Sequence, residues 1–300
     1  MKFLFFLGLF CVAVILYSMI ENRYIRITEY VLGYKNDGAV SDNVKEPAEF
    51  ISYDTTLSIV QLSDLHDCRY GKNNHILLKK IEACKPDVII LTGDMKNKYK
   101  PVSQDLYRLY ENLSKICPCI YSLGNHELKD RKKNPKSFSE YINKVQECGI
   151  IVSENETHLL QQKGISCLFA SYSSTLEQYK KRKQKPNDTD ESQLKLPEAN
   201  HSKARVKILL SHDPELIKRY QESKYSFIFS GHLHGGIVRI PGYRGVVSPR
   251  FVFFPQYAGG CYKLYEKHLL IVSRGLGSHT IKFRLFNRPE VVHSIIHMKV

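Results

Sequence analysis

Five short runs of metal-binding residue types are spread along this chain of 300 residues. Their side chains are carboxylates, imidazoles and one amide, which can bind divalent metal ions. Asp94 is central to the set, because one carboxylate can offer an oxygen to each of two metal ions. The runs are Asp64-Leu65-His66, Gly93-Asp94, Gly124-Asn125-His126-Glu127, Ser211-His212 and Gly231-His232-Leu233-His234. The residue types predict metal-dependent chemistry.

Each of these runs comes at the end of a short apolar segment that is typical of a buried strand. Ligands of open α/β sheets gather beyond the carboxyl ends of the strands, so the five runs are expected to meet. Alternation along a strand predicts that Asp64 and His66 share one side, and likewise His232 and His234. One such run alone is more often structural, whereas five at strand ends indicate a shared site. The predicted strands cover residues 57–62, 88–92, 119–123, 206–210 and 225–229.

Several residues within the runs are interpreted as supports for the ligands. Gly93, Gly124 and Gly231 permit tight turns and close backbone approach directly after a strand. Glu127 is interpreted as a solvated acid or one that starts a helix; the alternatives are that it orients His126 or pairs with a basic neighbour.

The segments between the strands indicate the fold class. Helical spacing of apolar residues at 73–84, 103–116 and 137–148 predicts crossover helices and therefore a parallel sheet. Residues 151–172 are predicted to form hairpins, and further strand-like stretches follow residue 237. The polar segment 172–204 is expected to be an exposed insertion, either over the mouth of the site or as a disordered excursion.

The amino terminus is almost unbrokenly apolar from Phe3 to Ile20. About 18 apolar residues just reach the length that spans a bilayer. A retained anchor is favoured over a cleaved signal peptide, since no small-x-small cleavage site precedes Glu21. We expect an anchor at 1–22, a linker with an edge strand at 23–56 and one domain at 57–300. The charges that flank the segment leave open which side of the membrane the domain faces.

The net charge and the cysteine content exclude few classes of function. The net charge of +14 suits an anionic substrate or anionic lipid, and also ordinary solvated faces. The eight cysteines show no zinc-finger spacing and are expected to be reduced thiols. We expect no specific nucleic-acid partner, since no RNA-binding signature is present. No obligate protein partner is inferred.

The ordered set of D-x-H, G-D, G-N-H-E, a lone His and G-H-x-H resembles the calcineurin-like metallophosphoesterase superfamily. The apolar amino terminus and the Ser230–Gly236 run are similar to those of membrane-anchored YkuE-type and YaeI-type bacterial phosphoesterases. Further similarity lies in residues 273–277 and 287–290. The resemblance implies an α/β fold, a four-layer α/β/β/α sandwich, with an N-terminal transmembrane helix.

The resemblance also implies two divalent metal ions and their ligands. The first ion would take Asp64, His66, Asp94 and His234, and the second would take Asp94, Asn125, His212 and His232. Mixed imidazole and carboxylate ligands favour Mn, Fe or Zn over Mg or Ca. Two metals about 3.5–4 Å apart can hold a hydroxide that attacks phosphorus. His126 would protonate the leaving-group oxygen or stabilise charge there, for which a pKa of about 6.5 is suited.

The expected function is hydrolysis of a phosphodiester or pyrophosphate bond. One candidate substrate is lipid-linked, like the UDP-2,3-diacylglucosamine that some similar enzymes cleave. The alternatives are a phosphomonoesterase that acts on a soluble substrate and a catalytically silent metal-binding scaffold. A nuclease would suit the basic charge, but the membrane segment argues against it. A metallo-β-lactamase type of hydrolase lacks support, because no H-x-H-x-D-H run is present.

Overall fold

A computed structural model describes most of the chain. Most of the expected insertion at 172–204, and part of the segment after His212, lie outside the described residues. The described residues are 2–35, 38–40, 55–176, 196–199, 204–216, 220, 223–242, 245–248, 252–264, 268–278 and 282–298.

Fifteen strands form three sheets among the described residues. In the seven-stranded sheet the order is β2-β1-β15-β3-β4-β5-β6, and in the six-stranded sheet it is β13-β14-β10-β9-β8-β7. The strands β3 to β6 run parallel, as do β8, β9, β10 and β14. In chain order the strands are β1 (Arg26–Lys35), β2 (Gly38–Val40), β3 (Thr55–Leu62), β4 (Val88–Leu91), β5 (Cys119–Ser122), β6 (Ile151–Ser153), β7 (Thr157–Gln162), β8 (Ile165–Tyr172), β9 (Val206–Ser211), β10 (Phe227–Ser230), β11 (Val238–Arg239), β12 (Gly245–Val247), β13 (Gly260–Leu264), β14 (His268–Val272) and β15 (Glu290–Met298).

The described residues form five α-helices, of which α2 to α5 contribute to the core beside the sheets. The helices are α1 (Lys2–Glu21), α2 (His75–Ala83), α3 (Gln104–Ile116), α4 (Asn125–Lys133) and α5 (Pro135–Glu147). Apolar stripes of α2, α3 and α5 pack on the outer face of the seven-stranded sheet. The two large sheets bury their inner faces against each other, with residues such as Ile59, Ile90 and Phe229. On the outer face of the six-stranded sheet lie Leu216 and Tyr220. These layers confirm the predicted α/β/β/α class.

One segment holds more structure than the predicted linker with an edge strand, and one helix was not predicted. The segment 23–56 contains the edge strand β2 and, beside it, β1, which pairs along its length with β15 and lies one strand in from the edge. The helix α4 was not predicted, because its sequence NHELKDRKK has no apolar stripe. Its buried side chains are instead mostly polar and belong to the site described below.

The helix α1 exposes apolar side chains along nearly all its length. By length and composition it could cross a membrane, a property that a signal sequence shares. Its last turn contacts the domain: Ser18 Oγ accepts a hydrogen bond from the Arg284 N–H at 2.9 Å, and Glu21 Oε2 accepts one from the Asn287 N–H at 3.2 Å. Ser18 and Glu21 are buried by these contacts.

Candidate metal centre

The predicted ligands converge at one end of both large sheets. Three of the strands that lead into the site belong to the seven-stranded sheet (β3, β4 and β5), and β9 and β10 belong to the six-stranded sheet. Backbone hydrogen bonds join the loops within each half: Asp64 donates to the Gly93 carbonyl at 3.0 Å, and Gly231 donates to the His212 carbonyl at 3.0 Å. The site therefore lies where the carboxyl ends of strands from two sheets meet.

The way in which the strands present their ligands differs from the predicted alternation. The strands β3 and β10 end at Leu62 and Ser230, before the ligands begin. The residues that follow them turn into the left-handed region. Positive φ angles occur at Asp64 (50°), His66 (50°), Asp94 (53°), His232 (74°) and His234 (51°). Non-glycine residues with this backbone conformation are uncommon and cluster at functional sites. Left-handed turns, not strand alternation, direct these side chains.

A first group of ligand atoms comes from Asp64, His66 and His234, all within 4.8 Å of one another. The Nε2 atoms of His66 and His234 are 3.3 Å apart, and His234 Nε2 is 3.3 Å from Asp64 Oδ1. The other oxygen of Asp64 accepts hydrogen bonds from Ser63 Oγ at 2.6 Å and from the His232 N–H at 2.9 Å. Among the described residues, buried Asp64 Oδ1 has no hydrogen-bond donor.

A second group comes from Asp94, His212 and His232. His212 Nε2 lies 3.3 Å from Asp94 Oδ2 and 3.1 Å from His232 Nδ1. An amide atom of Asn125 lies 2.9 Å from His232 Nδ1, so Asn125 joins this group. Asp94 is also grouped with His66 and His126. Its carboxylate thus lies beside both sets of ligands, in the position expected of a bridging residue.

Hydrogen bonds to the imidazole rings fix which nitrogen is available. His212 Nδ1 lies 2.7 Å from the Thr92 carbonyl and His234 Nδ1 lies 3.1 Å from the Gly277 carbonyl. A carbonyl only accepts, so each Nδ1 carries a proton, and each Nε2 faces the group and can offer a lone pair to a metal once it is deprotonated. His126 is the opposite case. Its Nδ1 accepts from the Lys98 N–H at 3.2 Å, which puts the proton of the neutral ring on Nε2.

The buried ionisable groups of the site shift one another's pKa values. Burial opposes ionisation of Asp94, but His126, His212 and His66 outweigh it and hold the pKa of this carboxyl well below its usual range. Burial also disfavours charge on His212, yet the carboxylates of Asp94 and Asp64 raise its pKa to about 10. A proton at His212 Nε2 therefore interacts favourably with the same carboxylates that would stabilise a metal cation there. Burial lowers the pKa of His126, and the carboxylate of Asp94 opposes this shift.

Glu127 is a buried acid at the start of α4, and the interpretation of it as solvated is wrong. Its carboxylate accepts hydrogen bonds from the backbone N–H groups of Gly124 at 2.9 Å, Asp94 at 3.0 Å and Lys96 at 3.3 Å. Burial and the nearby charge of Asp94 raise its pKa. Glu127 thereby ties the loop after β4 to the first turn of α4. No signal in the spacing distinguishes this role from an ordinary helix cap.

Two glycines approach the ligands more closely than any other residue type would allow. A Cβ atom at Gly124 would collide with Asp94 Oδ1, and one at Gly231 would collide with Ser63 Oγ and Asp64 Oδ2. These contacts agree with the close backbone approach predicted for both positions.

The sequence analysis assigned no role to the residues that support the His234 loop. Asn287 donates from its side chain to the carbonyls of His234, at 2.8 Å, and Gly236. The buried guanidinium of Arg284 donates to the carbonyls of Gly275 at 3.2 Å and Gly277 at 2.8 Å. Gly277 in turn holds His234 Nδ1. The only sequence signal for this role was the similarity of residues 287–290 to the YkuE-type and YaeI-type phosphoesterases. That similarity does not reveal which metal ligand Asn287 supports.

The two groups fit divalent metal ions. Imidazole nitrogens and carboxylate oxygens of different residues lie 3.1–3.3 Å apart, and Asp64 Oδ1 is buried without a donor among the described residues. Buried acceptors that face each other are costly unless a cation lies between them. The mixed nitrogen and oxygen donors suit first-row transition metals.

Residues 57–236 match the family described as calcineurin-like phosphoesterase. This match spans more than half of the 300 residues, and the chain belongs to that family. It is a phosphoester hydrolase of α/β/β/α fold, and its family uses divalent metals.

Curated relatives agree with this assignment. The chain is 26% identical over 253 residues to an uncharacterised metallophosphoesterase of Campylobacter jejuni, a match that covers 81% of this chain but only 59% of that protein. It is 26% identical over 246 residues to the uncharacterised metallophosphoesterase YkuE of Bacillus subtilis, covering 78% and 76%. It is 24% identical over 280 residues to the UDP-2,3-diacylglucosamine pyrophosphatase LpxG of Chlamydia muridarum, covering 78% and 82%.

Proposed function

We propose that this chain is a membrane-anchored, two-metal phosphoesterase that hydrolyses a phosphodiester or pyrophosphate bond in a lipid-linked substrate, such as UDP-2,3-diacylglucosamine. The observation that carries the proposal is the pair of adjacent ligand groups, with Asp94 a member of the second group and also grouped with His66 of the first. The similarity to a UDP-2,3-diacylglucosamine pyrophosphatase and the apolar helix α1 support the lipid-linked substrate.

In this proposal Asp64, His66, Asp94 and His234 hold one ion, and Asp94, Asn125, His212 and His232 hold the other. Mn, Fe or Zn are the expected metals, since the ligands are imidazoles, carboxylates and an amide. When bound, the two ions supply a nucleophile at neutral pH and offset the charge that develops on the phosphoryl oxygens. The carbonyls of Thr92 and Gly277 keep His212 and His234 in the tautomers that binding requires.

His126 is the proposed catalytic residue. The Lys98 N–H occupies its Nδ1, so the proton on Nε2 is directed to the ligand groups, 3.8 Å from Asp94 Oδ2. From there it can donate a hydrogen bond to the leaving-group oxygen of a phosphoester and stabilise the charge that develops on it. The low pKa of the ring favours a hydrogen bond from neutral imidazole over a standing positive charge.

We further propose that α1 is a retained anchor at 1–22 and that the domain covers 57–300. Residues 23–35 join this domain through β1. Retention of α1 is supported by the burial of Ser18 and Glu21 against the domain. A cleaved signal peptide would leave the backbone N–H groups of Arg284 and Asn287 without these acceptors.

The test uses the full chain in detergent, stripped of metal and then supplied with Mn, Fe or Zn. The substrates are the mono- and bis-nitrophenyl phosphates and UDP-2,3-diacylglucosamine in mixed micelles. Metal-dependent cleavage of the diester and the nucleotide lipid supports the proposal. Cleavage of the monoester alone would indicate a phosphatase for soluble substrates, and no cleavage with two metals bound would indicate a scaffold. Asp94→Asn and His126→Ala serve as inactive variants, and His75→Ala, at an exposed histidine of α2, serves as the control.

A further inference from the structure

A group of exposed apolar side chains lies on the domain, outside the metal centre. We call it the apolar face. Relative to full exposure, Ile240 is 45% exposed, Val252 50%, Phe253 71%, Phe254 46% and Phe286 48%. Contiguous exposed apolar residues on a soluble surface mark a site of interaction with a protein or a membrane.

Backbone pairing brings these residues together from three separate segments. Leu285 bridges to Val238 of β11, β11 pairs with β12, and Val247 of β12 bridges to Phe253. Four backbone segments therefore lie side by side at these bridges. At about 4.8 Å between neighbours, the segments that carry Phe286 and Phe253 are roughly 15 Å apart.

The apolar face continues into α1. The ring of Phe286 lies 5.4 Å from that of Tyr17, and the flanking residues Arg284 and Asn287 donate to Ser18 and Glu21. The helix therefore leaves the domain beside the apolar face, and its own apolar side chains extend from the same place.

Basic and aromatic residues surround the exit point of α1. Arg23, Tyr24 and Arg26 follow the helix and are exposed, as are Lys282 and Arg288 on the neighbouring loop. Asn22 reaches this loop through a hydrogen bond to the Lys282 carbonyl at 3.4 Å. Tyrosine and cationic side chains at the end of an apolar helix are typical of the level of the lipid head groups.

We propose that the apolar face is a second membrane-contact surface, which inserts into the bilayer beside α1. This inference rests on the proposed retention of α1, and it goes beyond a single anchor. Because the chain passes from His234 to Val238 within four residues, the metal centre would lie close to the membrane surface. A lipid-linked phosphoester could then reach the ligands while its acyl chains stay in the bilayer.

Tryptophan fluorescence tests this proposal, because the chain contains no tryptophan. Single variants Phe253→Trp, Leu9→Trp in α1 and Leu159→Trp in β7 are reconstituted as full chains into vesicles of phosphatidylcholine and phosphatidylglycerol. Brominated acyl chains then serve as quenchers. Leu159 is 39% exposed and belongs to β7, the edge strand of the six-stranded sheet that lies farthest from β13, which makes it the matched control.

We expect brominated lipid to reduce emission at positions 9 and 253 at least twofold, with a blue shift at 253, and to leave position 159 unchanged. Equal quenching at 253 and 159 would overturn the proposal. So would an absence of quenching at position 9, because the surface is argued from its continuity with an inserted helix. These fluorescence measurements do not depend on catalytic activity.

Hydrolysis separates this inference from the proposed function. Phe253→Ser combined with Phe286→Ser should lower the cleavage of a lipid-linked ester in vesicles about tenfold, while cleavage of the soluble bis-nitrophenyl ester stays within twofold of wild type. Equal rates for the variant and the wild-type chain on vesicles would contradict membrane contact at this face. Failure of the wild-type chain to cleave either ester would contradict the proposed function, whatever the quenching shows.

Discussion

At the scale of single residues, the site depends on which atom of each side chain is left available. Hydrogen bonds occupy one oxygen of Asp64 and one nitrogen of His212 and of His234, and the second atom of each points to its neighbours. His126 is held the other way round, with its proton directed inward. This contrast is the physical basis for proposing metal binding by the first three residues and hydrogen-bond donation by His126.

The role of His126 leads to a first prediction. His126→Ala should lower kcat on the bis-nitrophenyl ester by about 10²–10³-fold, the usual cost of removing one hydrogen-bond donor that stabilises developing charge. The bound metal should remain at wild-type level, since the ligands keep their own hydrogen bonds. Steady-state kinetics measures the change in kcat, and metal analysis of the same protein measures the bound metal. Loss of metal in this variant would instead make His126 a ligand, which its place in a group with His66 and Asp94 also permits.

A second prediction concerns Gly231. In Gly231→Ala the new methyl group would collide with Ser63 Oγ and Asp64 Oδ2, so Asp64 must shift. Metal affinity at the first group should fall, by about the 10–100-fold that is typical of lost ligand support. Competition with a chelator measures this, and Gly8→Ala, in α1, where an added Cβ atom meets nothing within 4 Å, is the control. Equal affinities in the two variants would contradict the close approach.

The identity of the ligand residues could be predicted from the sequence, because the motif residues stand directly at the ends of apolar runs. The backbone that directs them could not. Alternation along a strand places side chains two residues apart on one side, but Asp64 and His66 lie beyond the end of β3 in left-handed turns. Hydrogen bonds across loops, such as that from Asp64 to Gly93, hold these turns and leave no trace in local periodicity.

At the scale of elements, α4 shows how a polar helix can be buried. Glu127, in its first turn, accepts three backbone hydrogen bonds, and Lys96 pairs with Asp130 of the same helix. Because the helix is stabilised by these polar contacts, hydrophobic periodicity could not reveal it. The regular helices α2, α3 and α5 could be predicted, since their apolar stripes cover a sheet.

The buried carboxylate supplies a third prediction. Glu127→Gln keeps the shape but leaves one oxygen in place of two to serve the three N–H donors. An unsatisfied buried donor costs about 1–3 kcal/mol, so thermal unfolding should shift downward by several degrees. Glu140→Gln, at an exposed position of α5, is the matched control. A melting temperature equal to that of the control would argue against the assigned role of Glu127.

The loop at 284–288 supplies a fourth prediction. Asn287→Ala removes two hydrogen bonds from the carbonyls on either side of Gly235. The His234 loop should loosen, and we expect a fall in metal affinity of about 10–100-fold, as for other residues that orient a ligand. Asn112→Ala, at a half-buried position of α3 where the side chain donates to the Arg108 carbonyl, should leave metal affinity unchanged. Isothermal titration calorimetry with Mn measures the metal affinity of both variants and distinguishes them.

At the scale of the whole molecule, the amino-terminal region is part of the enzyme. The last turn of α1 contacts the loop that supports His234, and β1 lies between β2 and β15 within the seven-stranded sheet. The apolar run of α1 could be recognised in the sequence. The place of β1 could not, because its partner β15 lies at the far end of the chain.

This arrangement gives a fifth prediction, from two truncations. Removal of residues 2–20 keeps β1 and should yield a folded domain with native-like circular dichroism. Removal of residues 2–45 also deletes β1, whose Leu32 and Tyr34 are buried in the core between the sheets, and should yield an aggregating or unfolded product. Equal solubility and melting temperature of the two fragments would show that residues 23–35 are a linker only.

The central claim is that Asp94 joins two metal ions in one centre. The most direct measurement is the metal content of the purified full chain after reconstitution with Mn, compared with Asp94→Asn and with the control His75→Ala. We expect two equivalents per chain in the wild type and the control, and at most one in Asp94→Asn, with loss of diester hydrolysis. One equivalent in the wild type, or two in Asp94→Asn, would contradict the account.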